Sequence, residues 1–295
     1  MASGTMEANK GALEIRVEPA SGRVGADIAG VDVKHLSNGD YRLIRRAWLK
    51  HHVLRIRDQT LSYDDLISFS ERFGELDDAP INITGEPWIA GYPKLAVMSN
   101  VLEGGEPVGS LGYGEAVWHT DMSYKEITPS AALLYAIEVT ESGGETGFVS
   151  MHEAYDSLDA SMKRELEGKR IKHDASRNSA GTLRKGFDEI DDPRDAPGAR
   201  HPIVIRHPET GARALFLGRR PYSYVVGMDL DESEALLDVL WAHATDEENA
   251  WYQKWAVGDL LIWDNRSVMH KRTAFDPRER RYLLRTQVKG SVPAD

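Results

Sequence analysis

The 295-residue sequence predicts a mainly β domain with peripheral helices, arranged as a β-sandwich or jelly roll. Three observations lead to this prediction. Short apolar or alternating segments bounded by turn residues recur along the chain, as in all-β domains. Segments with helical periodicity are few and do not alternate regularly with the strands, which argues against a doubly wound parallel sheet. The length suits one β domain that carries helical insertions.

The first half of the chain contains predicted strands and two capped helices. Ser37 and Asn38 offer caps for a helix with apolar residues at Tyr41, Ile44 and Trp48. Ser62 offers the cap of a second helix, which Gly74 ends. Predicted strands cover residues 13–17, 53–57, 95–98 and 131–139, and residues 77–93 and 103–114 are predicted loops.

The second half begins at the turn Gly143-Gly144. A third helix is predicted as one unit from about His152 to Leu166, and Asp231 offers the cap of a fourth helix. Residues 203–206 and 214–217 flank the sequence Pro-Glu-Thr-Gly, which is typical of a hairpin turn. Residues 260–263 and 282–288 are predicted late strands.

Composition limits the function classes. The net charge is −11, which disfavours a nucleic-acid partner because phosphate backbones are negative. The absence of cysteine excludes disulfides, zinc fingers, iron–sulfur clusters and a cysteine nucleophile. No apolar run is long enough to span a membrane, and the start of the chain has no apolar signal-peptide region. We therefore expect a cytoplasmic protein with no membrane partner.

The domain organisation follows from these patterns. Residues 1–12 are small and polar, and we expect a disordered tail there. Residues 13–295 are expected to form a single domain. Residues 177–200 lack periodicity, and long segments of this kind are often lids over a site, so we expect a lid-like insertion around them.

One candidate metal site combines two distant segments. In the sequence Trp-His-Thr-Asp, extended backbone would place His119 and Asp121 on one face. The apolar segment that begins at Gly258 leads to a second histidine, His270. Two histidines and one carboxylate have the composition of the facial triad that binds Fe(II) and leaves three positions open. The same composition also fits a zinc hydrolase site, and spacing alone does not decide between them.

Two arginines follow the second histidine. Arg281 and Arg285 lie four residues apart in a strand-like segment, so they share a face, whereas Arg280 points the other way. A guanidinium is a planar fork that suits a carboxylate or a sulfonate. An acidic cosubstrate bound beside an iron triad would need such a group. Surface salt bridges are the alternative explanation for this charged run.

The motifs together resemble the taurine and phenoxyacetate dioxygenases, the TauD/TfdA family, over roughly residues 13–288. The matching pieces keep the order and spacing of the family; they are Phe73-Gly74, residues 118–121, residues 143–146, residues 258–270 and the pair Arg281/Arg285. The resemblance implies a double-stranded β-helix (jelly-roll) core and an Fe(II)- and 2-oxoglutarate-dependent dioxygenase that uses O2.

The resemblance also implies roles for individual residues. His119, Asp121 and His270 would be the catalytic metal ligands. Thr146 and Arg281 would bind the distal carboxylate of 2-oxoglutarate. Arg285 would bind an anionic group of the primary substrate or assist the cosubstrate. The carboxylate Asp121 argues against a halogenase, since halogenases of this type leave that position open for halide.

Departures from the family pattern bear on the substrate. Taurine-specific members carry a His and a Tyr after the Phe-Gly pair, where this chain has about Ala79 and Asn82, and an Asn where it has Glu115. The sulfonate pocket is thus not reproduced. The segment Trp263-Asp264-Asn265-Arg266 is closer to the phenoxyalkanoate branch, which favours a carboxylate-bearing substrate over taurine.

Other residues are candidates for the substrate pocket, and ordinary turn or core roles are the alternative for each. Ser99 and Asn100 follow a predicted strand, and Tyr124 follows the metal segment. Arg219 and Tyr222 belong to a polar aromatic cluster that would face the mouth of the barrel.

The sequence therefore predicts a dioxygenase that hydroxylates a small anionic molecule, with cleavage of a C–O, C–S or C–N bond as one outcome. Three alternatives remain open: a hydroxylase or desaturase that tailors a specialised metabolite, a non-catalytic jelly-roll binding protein, and a zinc hydrolase. Thr146 and Arg281 argue against the last two, since neither needs a 2-oxoglutarate site. We expect a homo-oligomer, as is common in the family.

Overall fold

The computed structural model describes residues 14–20, 22–82, 85–110, 116–178 and 181–295. The tail expected at residues 1–12 and the departure at Glu115 lie outside the described residues. The strands are β1 Arg16–Pro19, β2 Ala26–Ala29, β3 Val53–Ile56, β4 Ala96–Ser99, β5 Leu102–Glu103, β6 Glu106–Pro107, β7 Ala116–His119, β8 Ala131–Glu138, β9 Thr146–Ser150, β10 Arg170–Lys172, β11 Arg200–Pro202, β12 Val204–Arg206, β13 Arg213–Leu215, β14 Tyr224–Val225, β15 Trp251–Gln253, β16 Leu260–Asp264, β17 Val268–Arg272 and β18 Tyr282–Val288.

The helices begin at side-chain caps. Ser37 and Ser62 each form a capping box with the acidic residue three positions later, as the sequence predicts. The long C-terminal helix is capped by Asp229 and not by Asp231, which lies inside its first turn. The helices are α1 Asn38–His51, α2 Tyr63–Glu71, α3 Met151–Asp156, α4 Ala160–Glu165 and α5 Leu230–Ala244.

The third predicted helix is two helices in the structure, so the prediction of one unit was wrong. The Ser157 hydroxyl donates to the backbone carbonyls of Glu153 and Ala154 at the end of α3. The Asp159 carboxylate then accepts the Met162 N–H and caps α4. These side-chain bonds compete with continuation of the helix, although the apolar spacing runs through the break.

Two antiparallel-rich sheets form the centre of the fold. The larger sheet has the order β1-β2-β3-β16-β8-β18-β4, and the smaller has the order β15-β9-β17-β7. Side chains along β16 alternate between two buried clusters: Leu260 and Ile262 pack with α1 and α2, whereas Leu261 and Trp263 pack toward Phe148 of the smaller sheet. Both faces of β16 are thus covered, which explains its continuous apolar sequence.

The remaining segments extend this mainly β fold. The predicted hairpin around Pro-Glu-Thr-Gly is confirmed as β12 and β13, with Ile205 opposite Ala214. The predicted loop at 103–114 contains the short hairpin β5–β6 in its described part. The predicted first strand begins later, at Arg16. Residues 177–200 hold a short 3-10 helix, Pro193–Asp195, and turns in their described part.

Candidate functional site

The smaller sheet brings two histidines into direct register. His119 ends β7 and lies opposite His270 of β17 in the antiparallel ladder, and Asp121 follows two residues later. Nε2 of His119 lies 3.7 Å from Oδ1 of Asp121, and Nε2 of His270 lies 4.0 Å from the same oxygen. All three side chains are buried, and their ligand atoms lie within 4.8 Å of one another.

Backbone and amide contacts orient the triad. Nδ1 of His119 lies 2.7 Å from the Val117 carbonyl oxygen. Because a carbonyl can only accept a hydrogen bond, this contact places the imidazole proton on Nδ1 and leaves Nε2 available as a metal ligand. Asn265, at the end of β16, accepts the Asp121 N–H at 2.9 Å and donates to the Asp121 carbonyl at 3.0 Å. The amide of Asn265 therefore fixes the peptide on which the carboxylate is mounted.

The electrostatics suit a divalent cation. Burial alone would raise the pKa of Asp121, but Arg285 and the neighbouring His270 and His119 hold it well below its usual range. Burial and the neighbouring His119 lower the pKa of His270 to about 3. Two imidazoles and one carboxylate in a buried cluster are a donor set that fits Fe(II). Among the described residues, no other group of three such side chains comes together in this way.

A second polar region lies at the start of β9. The Thr146 hydroxyl accepts the indole N–H of Trp255 at 3.1 Å. Arg281 is 3% exposed, and its guanidinium contacts the Gly144 carbonyl at 3.5 Å. Burial and the nearby Arg272 lower the pKa of Arg281 to about 9. No described acidic side chain pairs with Arg281, so the region is a cationic site that fits an anionic ligand.

One cavity of about 480 Å³ joins the triad to this region. Of the predicted residues, His119, Asp121, His270, Thr146, Arg281, Arg285, Tyr124 and Arg219 line it. A guanidinium nitrogen of Arg285 lies 3.6 Å from Oδ1 of Asp121, whereas Arg280 forms an exposed ion pair with Glu138, as the strand pattern predicts.

Three predicted pocket residues lie elsewhere. The Ser99 hydroxyl is buried and accepts the Val101 N–H. Asn100 accepts the Arg281 N–H at 2.9 Å, so it contacts the backbone of a cavity arginine and does not line the cavity itself. The Tyr222 hydroxyl accepts a hydrogen bond from Arg177 outside the cavity. Strand alternation places the side chain of Met98 in the cavity and turns that of Ser99 away. The sequence did not determine which of these two neighbours faces the cavity.

Sequence reasoning missed several cavity residues. Arg184 and Asn178 reach it from the aperiodic segment 177–200, and Arg272 reaches it from β17, two residues after His270. Period-two alternation from His270 is a signal that would have found Arg272. No local signal in the sequence indicates the bond from Trp255 to Thr146.

The buried triad, and beside it a buried arginine with no ion-pair partner among the described residues, are features of a metal-dependent enzyme that works with an anionic molecule. The family model described as "Taurine catabolism dioxygenase TauD, TfdA family" matches residues 16–287. The chain belongs to the TauD/TfdA family. It is accordingly an oxidoreductase that uses Fe(II), 2-oxoglutarate and O2, and the alternatives of a zinc hydrolase and a non-catalytic binding protein are set aside.

Individual relatives agree with this assignment. An alpha-ketoglutarate-dependent 2,4-dichlorophenoxyacetate dioxygenase of Cupriavidus pinatubonensis is 33% identical over 283 residues, covering 92% of this chain and 97% of that protein. A pentalenolactone F synthase of Streptomyces arenae is 32% identical over 237 residues, covering 76% and 78%. The crystal structure of AAD-2 in complex with Mn(II) and N-oxalylglycine has a TM-score of 0.76 at 28% identity, covering 96% of this chain and 100% of that one. No described helix is long and apolar enough to cross a membrane.

Proposed function

We propose that this dioxygenase hydroxylates a C–H bond of a small organic anion, with a phenoxyalkanoate-like carboxylate favoured over taurine. One observation carries the proposal. Five arginines and a single carboxylate, that of Asp121, are the charged groups among the described residues that line the cavity; the arginines are Arg184, Arg219, Arg272, Arg281 and Arg285. One dianionic cosubstrate and one anionic substrate offset a large part of this positive charge.

His119, Asp121 and His270 are the proposed metal ligands. Fe(II), when bound, supplies the oxidative decarboxylation of 2-oxoglutarate by O2 and the oxidation of the substrate C–H bond. The protein contributes the geometry: Val117 and Asn265 hold the ligand atoms before metal arrives, which lowers the reorganisation that binding requires. Two neutral imidazoles leave the carboxylate as the single ligand charge.

Thr146 and Arg281 are the proposed 2-oxoglutarate residues. The indole N–H of Trp255 occupies a lone pair of the Thr146 oxygen, which leaves the Thr146 hydroxyl proton free to donate to a carboxylate. The guanidinium of Arg281 supplies the counter-charge in a desolvated site, where a charged hydrogen bond is strongest.

Arg285, Tyr124 and Arg219 are the proposed substrate contacts. The reaction takes R–H, O2 and 2-oxoglutarate to R–OH, succinate and CO2. Where the oxidised carbon bears an ether oxygen, a sulfur or a nitrogen, the hydroxylated product collapses with cleavage of that bond. The apolar walls of the cavity exclude water and hold the substrate body; they include Met98, Met122, Leu134 and Trp263.

The substrate preference rests on two findings. The family positions for a sulfonate pocket are Ala79 and Asn82 here, and the cavity residue in that segment is Pro80, which has no polar side chain. The similar 2,4-dichlorophenoxyacetate dioxygenase supports a carboxylate substrate. The pentalenolactone F synthase favours a second candidate, a tailoring hydroxylase or desaturase of a specialised metabolite.

We also propose a fold type, a lid, an oligomeric state and a cellular location for this protein. The two packed sheets are interpreted as a double-stranded β-helix, and residues 13–295 as one jelly-roll domain. Residues 177–200 would act as a lid, in keeping with Asn178 and Arg184 at the cavity. We expect the protein to form a homo-oligomer in the cytoplasm. Size-exclusion chromatography with light scattering tests the oligomeric state.

Succinate formation tests the proposal. The protein is incubated with Fe(II), ascorbate, 2-oxoglutarate and O2, together with phenoxyalkanoates, alkylsulfonates, alkyl sulfates or N-substituted amino acids. Succinate that rises with a phenoxyalkanoate supports the favoured substrate class. Succinate that rises only with another panel member moves the substrate to that class. A protein that binds no 2-oxoglutarate contradicts the proposal.

A further inference from the structure

Two cavity arginines share one aromatic ring. The guanidinium carbon of Arg184 lies 4.1 Å from the ring centroid of Tyr124, and that of Arg219 lies 5.3 Å from it. Cation–π contacts of this kind hold a guanidinium in place without neutralising its charge. Within the described residues neither arginine forms an ion pair. The pair therefore presents two positive charges to the cavity.

Arg219 is fixed by its backbone. Gly218 has φ of +72°, and a Cβ there would lie 2.0 Å from Nδ1 of His173, so only glycine fits. The Gly218 carbonyl accepts the N–H of Thr120, the residue between two of the proposed metal ligands. The position of Arg219 is thus tied to the triad. Arg219 is 8% exposed, and its Nε is buried without a hydrogen-bond partner among the described residues.

Arg184 reaches the ring from the insertion. Its N–H donates to the Ser176 carbonyl at 2.7 Å, and Arg177 forms an isolated bridge with Leu183. A guanidinium N–H of Arg219 donates to the Arg177 carbonyl at 2.8 Å. Arg219 therefore holds the segment that delivers Arg184, and the two cations meet at Tyr124.

Other cavity cations have different neighbours. Arg285 lies against Asp121, and Arg281 lies at Gly144, beside the start of β9. An oxyanion bound between Arg184 and Arg219 would instead meet two guanidinium groups, neither of which forms an ion pair with a described carboxylate. We propose that Arg184, Arg219 and Tyr124 form the subsite for the oxyanion of the primary substrate, a carboxylate or a sulfate on an apolar body. This inference rests on the proposed function.

The test compares acids with neutral molecules of the same shape. The Mn(II)–2-oxoglutarate complex of the full chain is titrated by calorimetry with phenoxyacetate and phenoxyacetamide, and with hexyl sulfate and heptan-1-ol. We expect at least one acid to bind more tightly than its neutral counterpart. Arg184→Gln and Arg219→Gln should each lower the affinity for that acid about 10- to 100-fold. Neither substitution should change the affinity for the neutral molecule.

Controls separate the subsite from the proposed function. Arg194→Gln removes an exposed arginine of the same insertion, which pairs with Asp192, and should leave acid binding unchanged. The affinity for 2-oxoglutarate should be the same in Arg184→Gln as in the wild type. The subsite is refuted if the preference for acids is unchanged in both Arg184→Gln and Arg219→Gln. It is also refuted if the wild-type protein binds 2-oxoglutarate but neither of the two acids. A wild-type protein that fails to bind 2-oxoglutarate contradicts the proposed function itself.

Discussion

Replacement of Arg281 by methionine should have two effects of opposite sign. Methionine keeps an unbranched apolar stem of similar length but removes the charge. Arg281 is buried, and no described acidic group pairs with it. The charge therefore destabilises the protein without 2-oxoglutarate and stabilises the complex with it. We expect Arg281→Met to unfold less readily than the wild type and to bind 2-oxoglutarate less tightly.

The burial of Arg281 and general interaction energies give the approximate size of both effects. A buried polar group without a partner costs about 1–3 kcal/mol, and more when it is charged. A charged hydrogen bond contributes about 1.5–3 kcal/mol, which corresponds to about a 10- to 100-fold weaker affinity when it is lost. Because burial lowers the pKa of Arg281 in the folded state to about 9, below its value in the unfolded chain, the stability cost is complete below that pH and declines above it.

Urea unfolding without ligands and calorimetric titration with 2-oxoglutarate and Mn(II) measure the two quantities. Arg280→Met is the matched control, since Arg280 is the exposed neighbour paired with Glu138. This control should leave the 2-oxoglutarate affinity unchanged. An Arg281→Met protein that is less stable than the wild type and binds 2-oxoglutarate normally would refute the reasoning.

Three further predictions concern the triad and a buried histidine. His119→Ala should abolish Fe(II)-dependent succinate formation, whereas exposed His35→Ala should not. Asn265→Ala removes two hydrogen bonds to the Asp121 peptide, and we expect metal affinity to fall at least about tenfold in an anaerobic titration, with a lower free energy of unfolding. Burial, followed by the charge of His152, lowers the pKa of His52 to about 4, so stability should fall by at most about 1.4 kcal/mol per pH unit as the pH drops from about 6.5 to 4. His52→Asn, which tolerates the left-handed backbone at φ 64°, should reduce this loss in urea unfolding series.

Each of these predictions has a contradicting result. Full succinate formation by His119→Ala at stoichiometric Fe(II) would remove this residue from the metal site. Unchanged metal affinity in Asn265→Ala would show that the amide does not position the carboxylate. If the free energy of unfolding of His52→Asn falls with decreasing pH as steeply as that of the wild type, groups other than His52 take up protons on unfolding.

Local chemistry accounts for the parts that the sequence predicted well. Helix caps depend on hydrogen bonds within three residues, so Ser37 and Ser62 were identifiable directly. The triad and the Arg281/Arg285 pair follow from family motifs together with strand alternation. The break between α3 and α4 was missed, because side-chain bonds at Ser157 and Asp159 oppose an apolar spacing that continues through the break.

The sequence by itself determined the mainly β class and the family and indicated the candidate metal ligands, because these depend on patterns that recur at fixed spacing. Only the tertiary structure decided which other side chains meet the metal site. Ser99 turns away while its neighbour Met98 faces inward, and Arg184 reaches Tyr124 from an insertion without periodicity. Strand phase and loop path are set by packing between residues far apart in the chain, and no local pattern records that packing.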